Sequence, residues 1–315
     1  MTREKRGPSL LRASLEVVAS AGCFGAISIF TVIATQRGGA PLASVLAWRY
    51  TLAALALAVV GGGIARLRLP ARRALPLVVL GGGGQAAVAF LALSALRWIP
   101  AATVGFLFYT FPAWVAIFAA VRRTEPLDAR RLGALALASG GIVVLVGAPG
   151  TASLHPLGTA LALAAAVLYA VYIPLLGRLR REVAPAAASL YVSLGAGLIF
   201  VAAGAAAGHL TARLSPAAWG AVAGLALLST TLGFILFLRG LPVLGPVRTA
   251  IISTVEPFWT AVLGALVLAQ PLTAAVASGG ALVAAAVLLL QGSRARGERS
   301  ERRGASRGER LIPDP

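Results

Sequence analysis

Ten stretches of this sequence run for about 20 residues each with few charges, near 14–36, 42–64, 74–96, 100–121, 130–147, 156–177, 185–206, 216–238, 243–268 and 272–291. A bilayer's hydrocarbon core is about 30 Å thick, and a helix rising about 1.5 Å per residue needs about 20 apolar residues to cross it. Backbone polar groups must be paired inside hydrocarbon, so a spanning segment closes its hydrogen bonds within itself as a helix or joins a closed barrel. These runs are too long for barrel strands and show no alternation. Composition closes the soluble alternative: 58% of the residues are hydrophobic, 12% are charged and the mean hydropathy is +0.87. A soluble domain carries about a quarter charged residues. One Cys and two His exclude a disulfide framework and a structural zinc cluster. The first stretch exceeds 20 residues and nine more follow it, so it reads as an uncleaved helix and not as a signal peptide.

The basic residues orient these spans. With a cytoplasmic N-terminus, 23 Lys and Arg fall on the inside: Arg3, Lys5, Arg6, Arg12, Arg66, Arg68, Arg72, Arg73, Arg122, Arg123, Arg130, Arg131, Arg178, Arg180, Arg181, Arg239 and seven in the tail. The outer loops hold three, Arg37, Arg97 and Arg213; Arg49 and Arg248 lie within spans. That bias places both termini in the cytoplasm, and one span too many or too few would scramble it. The net charge of +18 is therefore a topology signal and implies no nucleic acid.

The chain also repeats. A shift of 145 residues places Pro112 on Pro257, Trp114 on Trp259, Ala116 on Ala261, Ala120 on Ala265, Pro126 on Pro271 and Leu127 on Leu272. Spans four and nine are thus equivalent, and each half holds five spans. An odd number of crossings inserts the second half upside down. Inverted repeats with a midplane site are an architecture of secondary transporters. The expected organisation is all-α integral membrane, ten transmembrane helices in two inverted five-helix repeats. It comprises a basic cytoplasmic N-terminus (1–13), a first repeat (14–147), a linker (148–155), a second repeat (156–291) and a basic, disordered cytoplasmic tail (292–315).

Several short motifs then stand out: Phe24-Gly25, Trp48-Arg49-Tyr50, Tyr109-Thr110-Phe111-Pro112 and Glu125-Pro126-Leu127, then Leu244-Gly245-Pro246, Glu256-Pro257-Phe258 and Gln270-Pro271-Leu272. On these residues the chain resembles the EamA-type members of the drug/metabolite transporter superfamily over about 14–291. It departs from them at Gln270, where Glu is usual, and at Phe24, where Trp is usual. The resemblance implies alternating-access transport of small metabolites through a central cavity lined by helices one, three, four, six, eight and nine.

Residue spacing points to the path. Thr249, Ser253, Glu256 and Thr260 lie 4, 3 and 4 apart, one face of helix nine. Ser28, Thr31 and Thr35 do the same in helix one, after Ser20 and Phe24, and Tyr169 and Tyr172 lie three apart in helix six. Single hydroxyls serve equally well as helix–helix hydrogen bonds; the helix-nine stripe, with a carboxylate in it, favours a wet cavity. Glu256 is the one carboxylate deep in a span, and an unpaired ion there is expensive. It gates, binds an amino group, carries a proton, or is a structural residue at the break before Pro257; Arg49 is its candidate partner and Arg248 a weaker one. Pro112 and Pro257 interrupt equivalent helices, a pointer to a transporter's site that is equally compatible with plain kinks. Trp114, Trp259 and Gln85 complete the candidate substrate path. The Gly81–Gly84 run lacks the Lys-Ser/Thr ending of a phosphate loop and reads as close packing, as do Gly133, Gly140, Gly141, Gly279 and Gly280. His155, His209 and Cys23 have no partner at a recognisable spacing.

These readings converge on a multi-pass protein of the bacterial inner membrane, an exporter of small organic metabolites such as amino acids or drug-like solutes. No cofactor, metal or enzymatic residue is expected; the partners are a small-molecule substrate and the bilayer, with a homodimer left open. The rivals are a lipid or amphiphile flippase and a membrane-embedded enzyme, which would need a His, Asp or Cys cluster that the sequence lacks.

Overall fold

The computed structural model describes residues 9–95, 97–98, 104, 107–123, 128–146 and 155–268, and seven further positions between 274 and 289. Glu125-Pro126-Leu127, Gln270-Pro271-Leu272, Gly279, Gly280, most of the linker and of the tenth expected span, and both basic ends lie outside the described residues. All regular structure among the described residues is helical. The helices are α1 (Leu10–Arg37), α2 (Leu42–Val60), α3 (Ala71–Ala95), α4 (Phe111–Val121), α5 (Ala129–Val146), α6 (Pro156–Leu179) and α7 (Pro185–Ala206), then a 38-residue helical run, Pro216–Ser253, and a last helix, Glu256–Leu268. Six of these are long and apolar enough to cross a membrane. The chain is a multi-pass membrane protein.

The 38-residue run is two helices. Spacing of apolar residues put a loop at 239–242, but those residues are helical and the turn falls at Gly245, with φ +75° and ψ 164°. Only glycine adopts that backbone without strain, and Pro246 then starts the next helix with a φ already suited to it. We call the pieces α8 (216–244) and α9 (246–268). Pro242, inside the expected loop, is instead a kink residue in the last turn of α8.

The packing follows the sequence repeat. α1 packs along α8 and α9, while α6, its equivalent, packs along α3 and α4. α2 packs on α7, its own equivalent; α2 also touches α8, and α7 touches α3. Most of the buried surface therefore joins one repeat to the other. At one end of the bundle Ser44 Oγ donates to the carbonyl of His209, Trp48 Nε1 to that of Thr211, and Ser215 Oγ to that of Gly38. At the other end the Leu69 N–H donates to the Tyr191 hydroxyl, and Arg73 pairs with Glu182 at 3.1 Å.

Two local irregularities also obey the shift of 145. α3 widens into a π-helical segment at Leu80–Gln85 and α8 into one at Leu225–Leu232. Such segments rarely persist without a packing or functional reason. In α3 the reason is close approach: a Cβ at Gly81 would collide with the backbone carbonyl of Val192 in α7, and one at Gly195 with that of Val78. The glycine run does pack helices, as its composition implied.

Candidate functional site

α4 and α9 are broken at equivalent positions. Residues 109–110 and 254–255 are turns, and helix resumes at Phe111 and Glu256. The physical cause is Pro112 and Pro257, which have no N–H to offer the carbonyls of Phe108 and Ser253. The chain tightens ahead of each break: the Thr110 N–H reaches back three residues to Leu107 O at 3.3 Å, and the Thr254 N–H to Ile251 O at 3.1 Å. Threonine hydroxyls seal both turns, Thr110 Oγ1 donating to Leu107 O at 2.7 Å and Thr254 Oγ1 to Ile251 O at 2.6 Å.

The two breaks meet in the interior. Tyr109, from the first, lies within side-chain interaction range of Glu256, at the second. The hydroxyl of Thr260, one turn along, also lies on Tyr109. Thr260 Oγ1 is 3.1 Å from both the Gly25 and the Glu256 carbonyl oxygens. A Cβ at Gly25 would sit 3.1 Å from Glu256 O, so α1 presses directly against this arm. Glu256 and Thr260 are partly exposed, whereas Thr249 and Ser253 are buried. The stripe on α9 thus divides at the break. Ser253 Oγ closes on Thr249 O at 2.9 Å within its own helix, and the Thr249 hydroxyl has no partner among the described residues.

Arg49 faces this centre from α2 but does not ion-pair with Glu256. The two feel each other electrostatically, yet Arg49 Nε donates to Thr230 Oγ1 at 2.8 Å, and no carboxylate among the described residues lies within 4.0 Å of the guanidinium. Its neighbour Tyr50 accepts from Gln85 Nε2 at 3.0 Å. Gln85 and Thr230 are equivalent under the 145-residue shift and each sits in a π-helical segment. Adjacent residues of α2 are therefore held by matching positions of α3 and α8. Tyr50 entered the sequence reading only as part of the Trp48-Arg49-Tyr50 motif, and Thr230 not at all; applying the repeat shift to Gln85 would have found Thr230.

Tyrosines and phenylalanines wall the site. Tyr169 and Tyr172 stack with centroids 5.9 Å apart, Phe111 meets Tyr169 edge-on at 4.9 Å, and Phe108 lies 5.3 Å from Tyr169. Tyr169 is within electrostatic reach of both Glu256 and Tyr50. The Tyr172 hydroxyl and Gln85 Oε1 are buried with no hydrogen-bond partner among the described residues.

The structure thus gathers Arg49, Gln85, Tyr109, Tyr169, Tyr172, Glu256 and Thr260, with Pro112 and Pro257 shaping the breaks. The tryptophans stand apart. Trp114 packs on Phe118 at 6.3 Å. Trp259 lies over Gly22 and fronts a separate cavity of about 380 Å³ between α1, α8 and α9, lined by apolar side chains including Cys23, Phe30, Leu228 and Val267. In helix one, Ser20 is interhelical glue, donating to Gly233 O at 2.8 Å.

The EamA-like transporter family matches the chain twice, over residues 12–147 and 156–291. No curated protein matches. Among solved structures 29 chains match; one, a crystal structure whose title names no function, aligns with a TM-score of 0.76 and 22% identity over 91% of this chain and 98% of its own. That likeness carries the fold alone. The two family matches cover both repeats and carry more: the chain belongs to the EamA-like transporter family, and it is a membrane transporter of the drug/metabolite type.

Proposed function

We propose that the chain is a secondary transporter that exports small organic metabolites, such as amino acids or drug-like solutes. It works by alternating access around a midplane cavity between two inverted five-helix repeats. The observation that carries this reading is the meeting of two equivalent helix breaks through Tyr109 and Glu256. Paired interruptions in corresponding helices point to a transporter's site, and irregular backbone at membrane depth persists only where it is buried in protein or lines a cavity. Inversion is supported by the loops: Gly38 and Ser44, at the turn from α1 to α2, bond to Ser215 and His209 at one end, while Glu182, in the equivalent turn from α6 to α7, pairs with Arg73 at the other. The bias of basic residues supports cytoplasmic termini, and the same proposal places the chain in a bacterial inner membrane.

The direct test is flux. Purified protein in proteoliposomes preloaded with labelled metabolites is expected to release a subset of them in a saturable way, and Glu256→Gln is expected to slow that release. Unsaturable flux would point to a pore and reject the reading. A reporter fused after residue 291 is expected to be active only in its cytoplasmic form; periplasmic activity would reject the inverted repeat.

One observation favours a second reading, amphiphile translocation. The apolar cavity beside Trp259 has exposed residues, Leu228 and Val267, on its rim, so it opens to the outside of the bundle. Scrambling of fluorescent phospholipid in the same vesicles, without release of soluble metabolites, would decide for it.

A further inference from the structure

The cavity beside Trp259 has a counterpart position in the other repeat that is built from larger residues. The cavity, about 380 Å³, lies between α1, α8 and α9. α1 lines it with Gly22, Cys23 and Ala26, and α9 with Leu263. Under the shift of 145 the matching residues are Val167, Leu168 and Val171 on α6 and Phe118 on α4. Each is larger than the residue it matches, and Phe118 packs on Trp114 with ring centroids 6.3 Å apart. The first repeat thus brings more of its own side-chain volume to this interface, and the second leaves a slot.

The surroundings of the slot select what fills it. Its lining on α1 runs from Ala19 to Phe30, about 16 Å at 1.5 Å per residue. That stretch is the middle of the apolar helix Leu10–Arg37, the depth at which lipid tails end. The rim residues Leu228 and Val267, and Leu266 beside them, are exposed, so the mouth faces hydrocarbon. A water there needs about two to four polar partners, and the lining residues are Ala, Gly, Ile, Leu, Phe, Trp, Val and a single Cys. An empty slot forfeits the dispersion contacts of the atoms on its wall. A flexible hydrocarbon tail restores them without leaving the apolar phase.

We propose that the slot is a binding site for one acyl chain of a membrane phospholipid, held in place as a packing element that completes the interface of α1, α8 and α9. Side chains do the same work at the counterpart position. The inference goes beyond both readings of function above: the chain is a fixed part of the folded protein and not cargo, and its binding requires no transport.

The test uses the full-length protein in phosphatidylcholine vesicles that contain a phosphatidylcholine with a diazirine near the end of one acyl chain. After illumination, adducts are mapped by peptide mass spectrometry. They are expected on the outward-facing Leu55 and Val59 of α2 and also on Cys23 and Ala26. The last two are buried, so an adduct there needs a tail inside the slot. The double variant Cys23→Leu/Ala26→Val grafts the α6 residues into the slot; it is expected to lose the slot adducts and keep those on α2. Ala26→Phe fills the same space if the graft does not fold. After lipid is stripped in detergent, added phosphatidylcholine is expected to raise the unfolding temperature of the wild type by about 3 °C more than that of a filled variant. The proposal is overturned if Leu55 and Val59 gain adducts while Cys23 and Ala26 do not, or if the filled variants, where folded, keep adducts on the peptides 19–30 and 259–267. It is also overturned if filling the slot stops phospholipid scrambling, because the chain is then cargo. Slot adducts without metabolite flux would reject the exporter reading alone; flux without slot adducts would reject the resident chain alone.

Discussion

The two repeats share a scaffold and differ in chemistry. Both break the fourth helix of the repeat at the same place, but the residue after the break is Phe111 in one and Glu256 in the other. Both widen the third helix into a π-helical segment. In α3 that segment is glycine-rich and brings backbone against backbone at α7; in α8 it carries hydroxyls, and Thr230 holds the guanidinium of α2. The α7 residues equivalent to Arg49 and Tyr50 are Leu194 and Gly195. One half thus supplies tight apolar contact and the other supplies charge. Duplication fixes the backbone, and divergence of a handful of side chains gives one copy of each element its charged and hydroxyl-bearing face.

The largest expected effect tests the packed half. Gly195→Ala puts a methyl group where only backbone fits, and the folded yield after detergent extraction is expected to drop by the equivalent of about 3 kcal/mol. The counterpart change on α8, Ala226→Gly, leaves only a small void and a weaker helix, with an expected loss of about 1 kcal/mol. Equal losses would erase the distinction between the two interfaces.

Next comes the charged half. Glu256→Gln keeps the shape, and flux in proteoliposomes is expected to fall about a hundredfold, the equivalent of about 3 kcal/mol, at normal abundance. Phe111→Leu at the matching site is expected to cost about 1 kcal/mol of stability, and flux should fall only with abundance. If Glu256→Gln instead loses abundance and Arg49→Gln restores it, the charge serves Arg49 and not transport.

A smaller effect separates the two bonds to α2. Thr230→Val removes the acceptor of a buried guanidinium and is expected to cost about 2 kcal/mol in thermal unfolding. Tyr50→Phe removes a neutral acceptor, for about 1 kcal/mol. The reverse order would make Gln85 and not Thr230 the principal anchor. Smallest of all is Gly22→Ala: the new methyl meets the Trp259 ring at 3.6 Å, an ordinary contact, and stability should stay within about 0.5 kcal/mol.

Periodicity and charge placement made most of the scaffold legible. The repeat, the six long apolar helices and the two proline interruptions all follow from runs of apolar residues and a fixed offset. The boundary between α8 and α9 was misplaced because hydropathy does not distinguish a helical 239–244 from a loop; the left-handed Gly245 decides it. The π-helical segments were invisible, since their cause is contact with α2 and α7 and not local propensity. Glu256 and Arg49 were readable as costly charges in apolar runs, but their separation was not. Depth along two helices cannot reveal that Thr230 has claimed Arg49 Nε, or that Tyr109 reaches across from α4. Trp114 and Trp259 repeat faithfully but part in the fold: Trp259 fronts the apolar cavity and Trp114 packs on Phe118.

The backbone contact of α3 with α7 has a mechanical consequence. Where side chains separate two helices, rotamers can yield and let them slide or part. Around Gly81 and Gly195 no side chain intervenes, so there is nothing to compress. Displacement of α3 against α7 is confined to rolling about that point, which makes it a fulcrum. Were the helices to tilt as the proposed alternating access requires, the distances from that point to the two loop ends would set how far the ends travel.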